Sequence, residues 1–108
     1  MSSVEFDHLI FEAIRTGTEV KPIAVWSILA CVDLYQRVLL TREELGEGLA
    51  RLIRAGRVAE AAQSTYFNST GKSSSQVFSG LSEAAYDQGF DFYRRLAQEV
   101  ADEDTDDL

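Results

Sequence analysis

Residues Thr41 to Phe67 read TREELGEGLARLIRAGRVAEAAQSTYF, and this segment has the clearest structural signals in the chain. Thr41 and Glu44 have the spacing of a capping box, in which each side chain binds the backbone amide of the other residue. The apolar residues after this box recur at the period of an α-helix: Leu45, Leu49, Leu52 and Ile53. Gly56 is suited to end the helix. The sequence therefore predicts a capped, amphipathic helix over residues 41–55.

A β-hairpin is predicted directly after this helix. Arg57–Glu60 and Ser64–Phe67 are short segments on either side of Ala61-Ala62-Gln63. The second segment contains Thr, Tyr and Phe, which favour strands. We therefore expect a small hairpin over residues 57–67.

Two further helices are predicted upstream. The first runs from about Val4 to Thr16, because Ser2 and Glu5 have capping-box spacing. Its apolar stripe consists of Phe6, Leu9, Ile10, Ala13 and Ile14. Val4 and Phe11 lie off this stripe, seven residues apart on a second face that needs a partner.

The second upstream helix is expected to begin at Pro22, because proline suits the first helical position. Ile23 to Tyr35 is apolar almost all round, which fits either a short buried strand or a central helix. Its length favours the helix, with Trp26 as the largest core anchor and Arg37 near its exit to solvent.

A Ser- and Gly-rich loop over residues 68–80 precedes a last helix from Leu81 to Val100. Two apolar stripes can be drawn on that helix, about 100° apart. The first stripe is Leu81, Ala85, Phe92 and Leu96, and the second is Tyr86, Phe90, Tyr93 and Ala97. Together they are too wide for one contact, so we expect one to pack on the core and the other on a second surface. Homodimerisation is the simplest version, with these candidate contacts: Val4, Phe11, Tyr86, Phe90 and Tyr93.

Composition indicates one soluble domain over residues 1–100 and a flexible acidic tail over residues 101–108. The net charge is −8, but six of the 18 acidic residues lie from Glu99 onward, so residues 1–98 carry 12 acidic and 10 basic residues. No apolar run approaches the roughly 20 residues that cross a bilayer. No secretory signal is visible, and the single cysteine, Cys31, lies in an apolar stretch, so we expect a cytoplasmic protein with a buried, inert thiol.

The expected fold is mainly α with a small β-hairpin, a three-helix core followed by a long C-terminal helix. This order resembles the winged helix-turn-helix superfamily over most of residues 5–98. The resemblance rests on Thr41-Arg42-Glu43-Glu44-Leu45, on Leu49-x-x-Leu52-Ile53-x-x-Gly56-Arg57-Val58 and on Thr70-x-Lys72. Many members are transcription regulators that place the third helix in the DNA major groove and the wing on the backbone, so the resemblance implies DNA binding.

The charges on the predicted third helix favour a different partner. Its N-terminal part, which would approach the bases, carries Glu43, Glu44 and Glu47 against Arg42 alone. These acids complement the helix dipole, and Glu47 with Arg51 forms an i, i+4 pair. The basic residues that could still form a modest patch for DNA or a protein partner are Arg37, Arg51, Arg54, Arg57 and Lys72.

Catalysis has little support in the sequence. Gly71-Lys72-Ser73 matches the end of a phosphate-binding loop, but the first glycine is replaced by Tyr66. His8 is the only histidine, and no G-x-S-x-G motif is present. We therefore predict no catalytic, cofactor or metal site. Two functions stay open: a module for protein interaction or homodimerisation, and a DNA-binding transcription regulator using the helix 41–55 and the hairpin 57–67.

Overall fold

The computed structural model describes residues 3–62, 64–72 and 76–106, with side chains within residues 6–100. These residues form four helices and a three-stranded antiparallel sheet, an α+β fold. In chain order the elements are α1 (Ser3–Ile14), β1 (Ile23–Ala24), α2 (Val25–Gln36), α3 (Arg42–Arg54), β2 (Val58–Glu60), β3 (Thr65–Asn68) and α4 (Glu83–Asp106). The strand order is β1-β3-β2, and the arrangement is compatible with a winged-helix-like layout.

The capped helix and the hairpin are confirmed. The Thr41 hydroxyl accepts from the Glu44 amide at 3.1 Å, and the Glu44 carboxylate accepts from the Thr41 amide at 2.9 Å. After α3 the chain turns through Gly56, whose φ of 77° lies in the left-handed region that favours glycine. In the hairpin, Ala59 lies opposite Phe67.

The predicted start of the second helix was wrong. Ile23 and Ala24 form strand β1, which pairs antiparallel with Tyr66 and Thr65, so the helix begins at Val25. The reason is the free edge of β3, whose backbone groups need partners that a helix starting at Pro22 would not supply. An apolar run has no period by which its first residues could be assigned to a strand.

The core lies between the first three helices and the inner face of the sheet. Its fully buried side chains include Ile10, Ile14, Ile28, Leu29, Leu45, Leu49, Val58 and Tyr66. Helices α1 and α3 approach closely at Gly48, where an added Cβ would clash with the side chain of Ile10. Trp26 is 36% exposed, so it is not the core anchor that the sequence predicted.

Phe11 belongs to the core of its own chain. Its side chain is 8% exposed and lies under the guanidinium of Arg57, 4.0 Å from the ring centroid. The prediction that it marks a second face in need of an external partner was therefore wrong. The companion side chain, Val4, lies outside the described side chains.

Helix α4 crosses α2 at Gly89, where an added Cβ would lie 2.8 Å from Val25 Cγ1 and 3.1 Å from the Trp26 amide nitrogen. It has 24 residues and continues to Asp106, six residues past the predicted end at Val100. The backbone of residues 101–106 is therefore helical, and the flexibility of the acidic tail stays a prediction. None of the described helices is long and apolar enough to cross a membrane.

Candidate interaction surfaces

Arg51, one of the residues of the predicted basic patch, forms an ion pair within the chain. The Arg51 guanidinium donates to both carboxylate oxygens of Asp7 on α1, at 2.7 and 2.8 Å. This bond, more than the nearby charges, raises the pKa of Arg51. The sequence predicted that Arg51 pairs with Glu47, but in the structure it pairs with Asp7 on α1. The donor groups of Arg51 are therefore engaged within the chain.

The other four predicted basic residues lie at two ends of α3. Arg37 occupies the left-handed position that ends α2, on the side leading to the start of α3. Arg54 is exposed at the far end, and Arg57 follows it against the Phe11 ring. Lys72 is close to Arg57 in the backbone, because the Ser69 amide donates to Arg57 O and the Lys72 amide donates to Ser69 O, both at 2.9 Å. The structure thus brings the backbones of Arg57 and Lys72 close together beyond the C-terminal end of α3, where Arg54 also lies, and places Arg37 at the other end.

The acidic start of α3 is exposed to solvent. Glu43 and Glu47 are both exposed, and Arg42 contacts Glu43 at 3.2 Å. With Arg51 bound to Asp7, Arg54 is the one cation on the outer face of α3 that forms no described ion pair. The outer face of α3 therefore has exposed acidic side chains at its N-terminal end and one basic side chain without a described ion pair, Arg54, at its C-terminal end.

The aromatic stripe of α4 contacts its own chain. The Tyr86 hydroxyl donates to Leu40 O at 2.6 Å, and the Tyr93 hydroxyl donates to the carboxylate of Asp33. Burial is the main cause that raises the pKa of Tyr86. The rings of Tyr86 and Phe90 are stacked with centroids 5.9 Å apart. The three candidate dimer contacts on α4 therefore attach this helix to the body, and contact with a second copy stays a prediction.

A different row of apolar side chains on α4 is exposed. Phe92 is 47% and Val100 57% exposed, and the partly exposed Leu96 lies between them at helical spacing. We call Phe92, Leu96 and Val100 the α4 stripe. Its inner end contacts Trp26 of α2, with ring centroids 5.0 Å apart. Beyond that contact the stripe continues along a part of α4 in which most side chains up to Val100 are exposed.

Two open grooves flank the hairpin. The larger, of about 780 Å³, lies between the hairpin and α4 and includes Trp26, Glu60 and Gln88. The smaller, of about 620 Å³, lies on the outer face of the sheet and includes Phe67 and Lys72.

Residues considered for catalysis or metal binding are scattered. His8 is exposed on α1, and Tyr66, which stands at the missing glycine position, is buried in the core. Among the described residues, no group of three His, Cys, Asp or Glu side chains could hold a metal ion. Cys31 is partly buried, and burial followed by the charge of Glu12 raises the pKa of its thiol.

Comparisons of this chain with protein-family models, curated proteins and solved structures found no match.

Proposed function

We propose that this chain is a small, non-catalytic binding module with a winged-helix layout, and that it pairs with a second copy through the α4 stripe. The observation that carries this proposal is the exposure of Phe92 and Val100 on one side of a 24-residue helix. Ordered apolar side chains at helical spacing favour association when a matching surface covers them.

The charge along α4 supports a second copy as the partner. Arg94 and Arg95 precede Glu99, and every charged residue after them is acidic. Two such helices placed antiparallel about Leu96 set Phe92 of each opposite Val100 of the other and bring Arg95, on one flank of the stripe, within a helical turn of Glu99 of the other, whereas a parallel pair sets like charges level with each other. An antiparallel pair also has the two-fold symmetry of a closed dimer. The α4 stripe and the charges beside it are thus self-complementary.

The winged-helix layout is supported by the order of the elements. A strand precedes α2, the capped helix α3 precedes the hairpin, and β3 lies between β1 and β2. In this interpretation α3 is the recognition helix and β2–β3 is the wing. The tip of the wing adds no basic residue, which favours a protein partner over DNA.

The test is sedimentation velocity over a range of protein concentrations. We expect the native chain to form a dimer, and Val100→Glu to weaken it by at least roughly tenfold, because a carboxylate at that position opposes apolar burial. Gln98→Glu is the matched control, since it adds the same group two residues away on the opposite side of α4. A native chain that stays monomeric at the highest concentration overturns the proposal.

DNA binding is the second candidate, and the placement of Arg54, Arg57 and the Lys72 backbone near the C-terminal end of α3 favours it. A gel-shift titration at low salt with mixed duplex DNA separates the two functions. Salt-sensitive binding that is lost in Arg54→Ala and Arg51→Ala would place DNA first. Our first proposal expects no such shift, because Arg51 is bound to Asp7 and the start of α3 is acidic.

A further inference from the structure

The outer edge of β2 presents backbone groups away from the sheet. β2 is an edge strand of the sheet. Two backbone hydrogen bonds of 2.9 Å show which residues at its ends face β3: the Ser69 amide donates to Arg57 O, and the Ala61 amide donates to Thr65 O. Residues that face β3 alternate along an antiparallel ladder with residues that face outward. Because Arg57 and Ala61 face β3, Glu60 directs its N–H and C=O outward.

The side-chain amide of Gln76 binds these two outward-pointing backbone groups of Glu60. Its Oε1 accepts from the Glu60 amide at 2.7 Å, and its Nε2 donates to Glu60 O at 2.8 Å. A primary amide offers one acceptor and one donor, as the backbone of a neighbouring strand does. Two residues that exchange both bonds form the hydrogen-bonded pair of an antiparallel ladder. The Gln76 side chain therefore stands where one residue of a fourth strand would stand.

The smaller groove lies beside the same edge. Its floor contains Ala59 and Phe67, which lie opposite each other on the outer face of the sheet. Lys72 also lines it, with its ammonium 5.9 Å from the Phe67 ring centroid. The wall near the hairpin tip consists of small residues, Ala61 and Ala62. Since side chains alternate along a strand, every second residue of an added strand would lie on the side of this groove.

We propose that the outer edge of β2 is a strand-addition site for an extended peptide, and that Gln76 is the intramolecular competitor that occupies it in the free chain. Main-chain bonds to Glu60 supply the attachment, and the groove over Phe67 takes an apolar side chain of the peptide. Gln76 is exposed, so its amide can exchange with a peptide group without unfolding the core. This site is separate from the α4 stripe, and its test is carried out in the Val100→Glu chain so that dimerisation through α4 does not interfere.

The probe is an acetylated, amidated peptide with the sequence STYFNST, that of residues 64–70, because it contains strand-favouring residues that already pair with β2. Binding is followed by the NMR shift of the Glu60 amide. We expect Gln76→Ala to bind the peptide roughly tenfold more tightly than the chain with Gln76, because no internal amide has to be displaced. Gln88→Ala, an exposed glutamine on α4, serves as the matched control and leaves the affinity unchanged.

A second peptide, N-methylated at alternate residues facing the edge, tests whether main-chain bonds are responsible. We expect it to bind neither chain. Equal binding of the methylated peptide, or equal affinity of the two chains for the first peptide, overturns the proposal. Self-association of Gln76→Ala through β2 in the absence of peptide binding also overturns it, since the occupant would then be a second copy.

Discussion

The hydroxyl of Tyr93 on α4 donates a hydrogen bond to the carboxylate of Asp33 on α2, across 60 residues of sequence. Asp33 and Tyr93 both lie partly buried where the two helices meet. Together with the bond from Tyr86 to Leu40, this contact fixes the direction in which α4 leaves the body. Replacement of either phenol by phenylalanine removes one attachment and keeps the ring in place.

Tyr93→Phe is expected to lower the free energy of unfolding by about 1.5 kcal/mol, because it removes a hydrogen bond to a charged acceptor. Urea denaturation followed by circular dichroism measures the change. Tyr35→Phe is the control, since Tyr35 is 79% exposed, and it should have almost no effect. An equal effect of the two substitutions would show that the bond to Asp33 adds no stability.

Alkaline pH should weaken the same contact. The hydrogen bond to Asp33, followed by burial, raises the pKa of Tyr93 to about 12 from its ordinary value of 10.0. A raised folded-state pKa means that the stabilisation is fully present below pH 10 and is lost as the pH rises towards 12. The difference in unfolding free energy between the native chain and Tyr93→Phe should therefore shrink between pH 10 and pH 12. A difference that stays constant over this interval would contradict the assignment.

Asp7→Asn is expected to destabilise the chain by about 1 kcal/mol, because it breaks a two-pronged, partly buried ion pair with Arg51. Thermal or urea unfolding at low and high salt measures the loss. The control is Glu12→Gln, which breaks the exposed pair with Arg15, whose atoms lie 3.5 Å apart. We expect that control to cost less than about 0.5 kcal/mol. Comparable losses in the two variants would mean that the geometry of the Asp7 pair adds nothing.

Two glycines of α3 should respond oppositely to alanine. At Gly46 an added Cβ meets Leu81 Cβ at 3.5 Å, an ordinary contact, so the gain in helix propensity should stabilise the chain by up to about 1 kcal/mol. At Gly48 the new methyl group would clash with Ile10 and lie 3.2 Å from an oxygen of Asp7. We expect Gly48→Ala to lower stability by about 1 kcal/mol, since repacking costs more than the propensity gain. Stabilisation by both substitutions would show that α1 moves away at little cost.

The elements with local signals could be predicted from the sequence. Thr41 and Glu44 specify the start of α3 by a contact three residues apart, which the sequence displays directly. Arg51 illustrates the limit of such signals. Glu47 was its nearest acidic partner at helical spacing, whereas the observed partner is Asp7, 44 residues away on another helix. Nothing in local spacing reveals which distant carboxylate the fold brings to a guanidinium.

The same limit explains the missed strand and the missed edge contact. Ile23–Ala24 forms a strand only because β3 needs a second neighbour, and this requirement exists only once the hairpin has formed. Gln76 lies in a loop whose Ser- and Gly-rich composition indicated no particular role. Its two bonds to Glu60 depend on the fold, which places residue 76 beside β2, 16 residues further along the chain.

The pairing of Ile23 with Tyr66 also has a consequence for biosynthesis. The partner strand emerges from the ribosome more than forty residues after β1, so α1 and α2 leave the exit tunnel before the sheet can be completed. During that interval the capped helix α3 can form from local contacts, whereas β1 must wait for β3. A nascent chain from which β3 has not yet emerged would consequently expose an apolar surface to chaperones, and the core, which includes Leu81, closes fully only after the residues beyond β3 have followed.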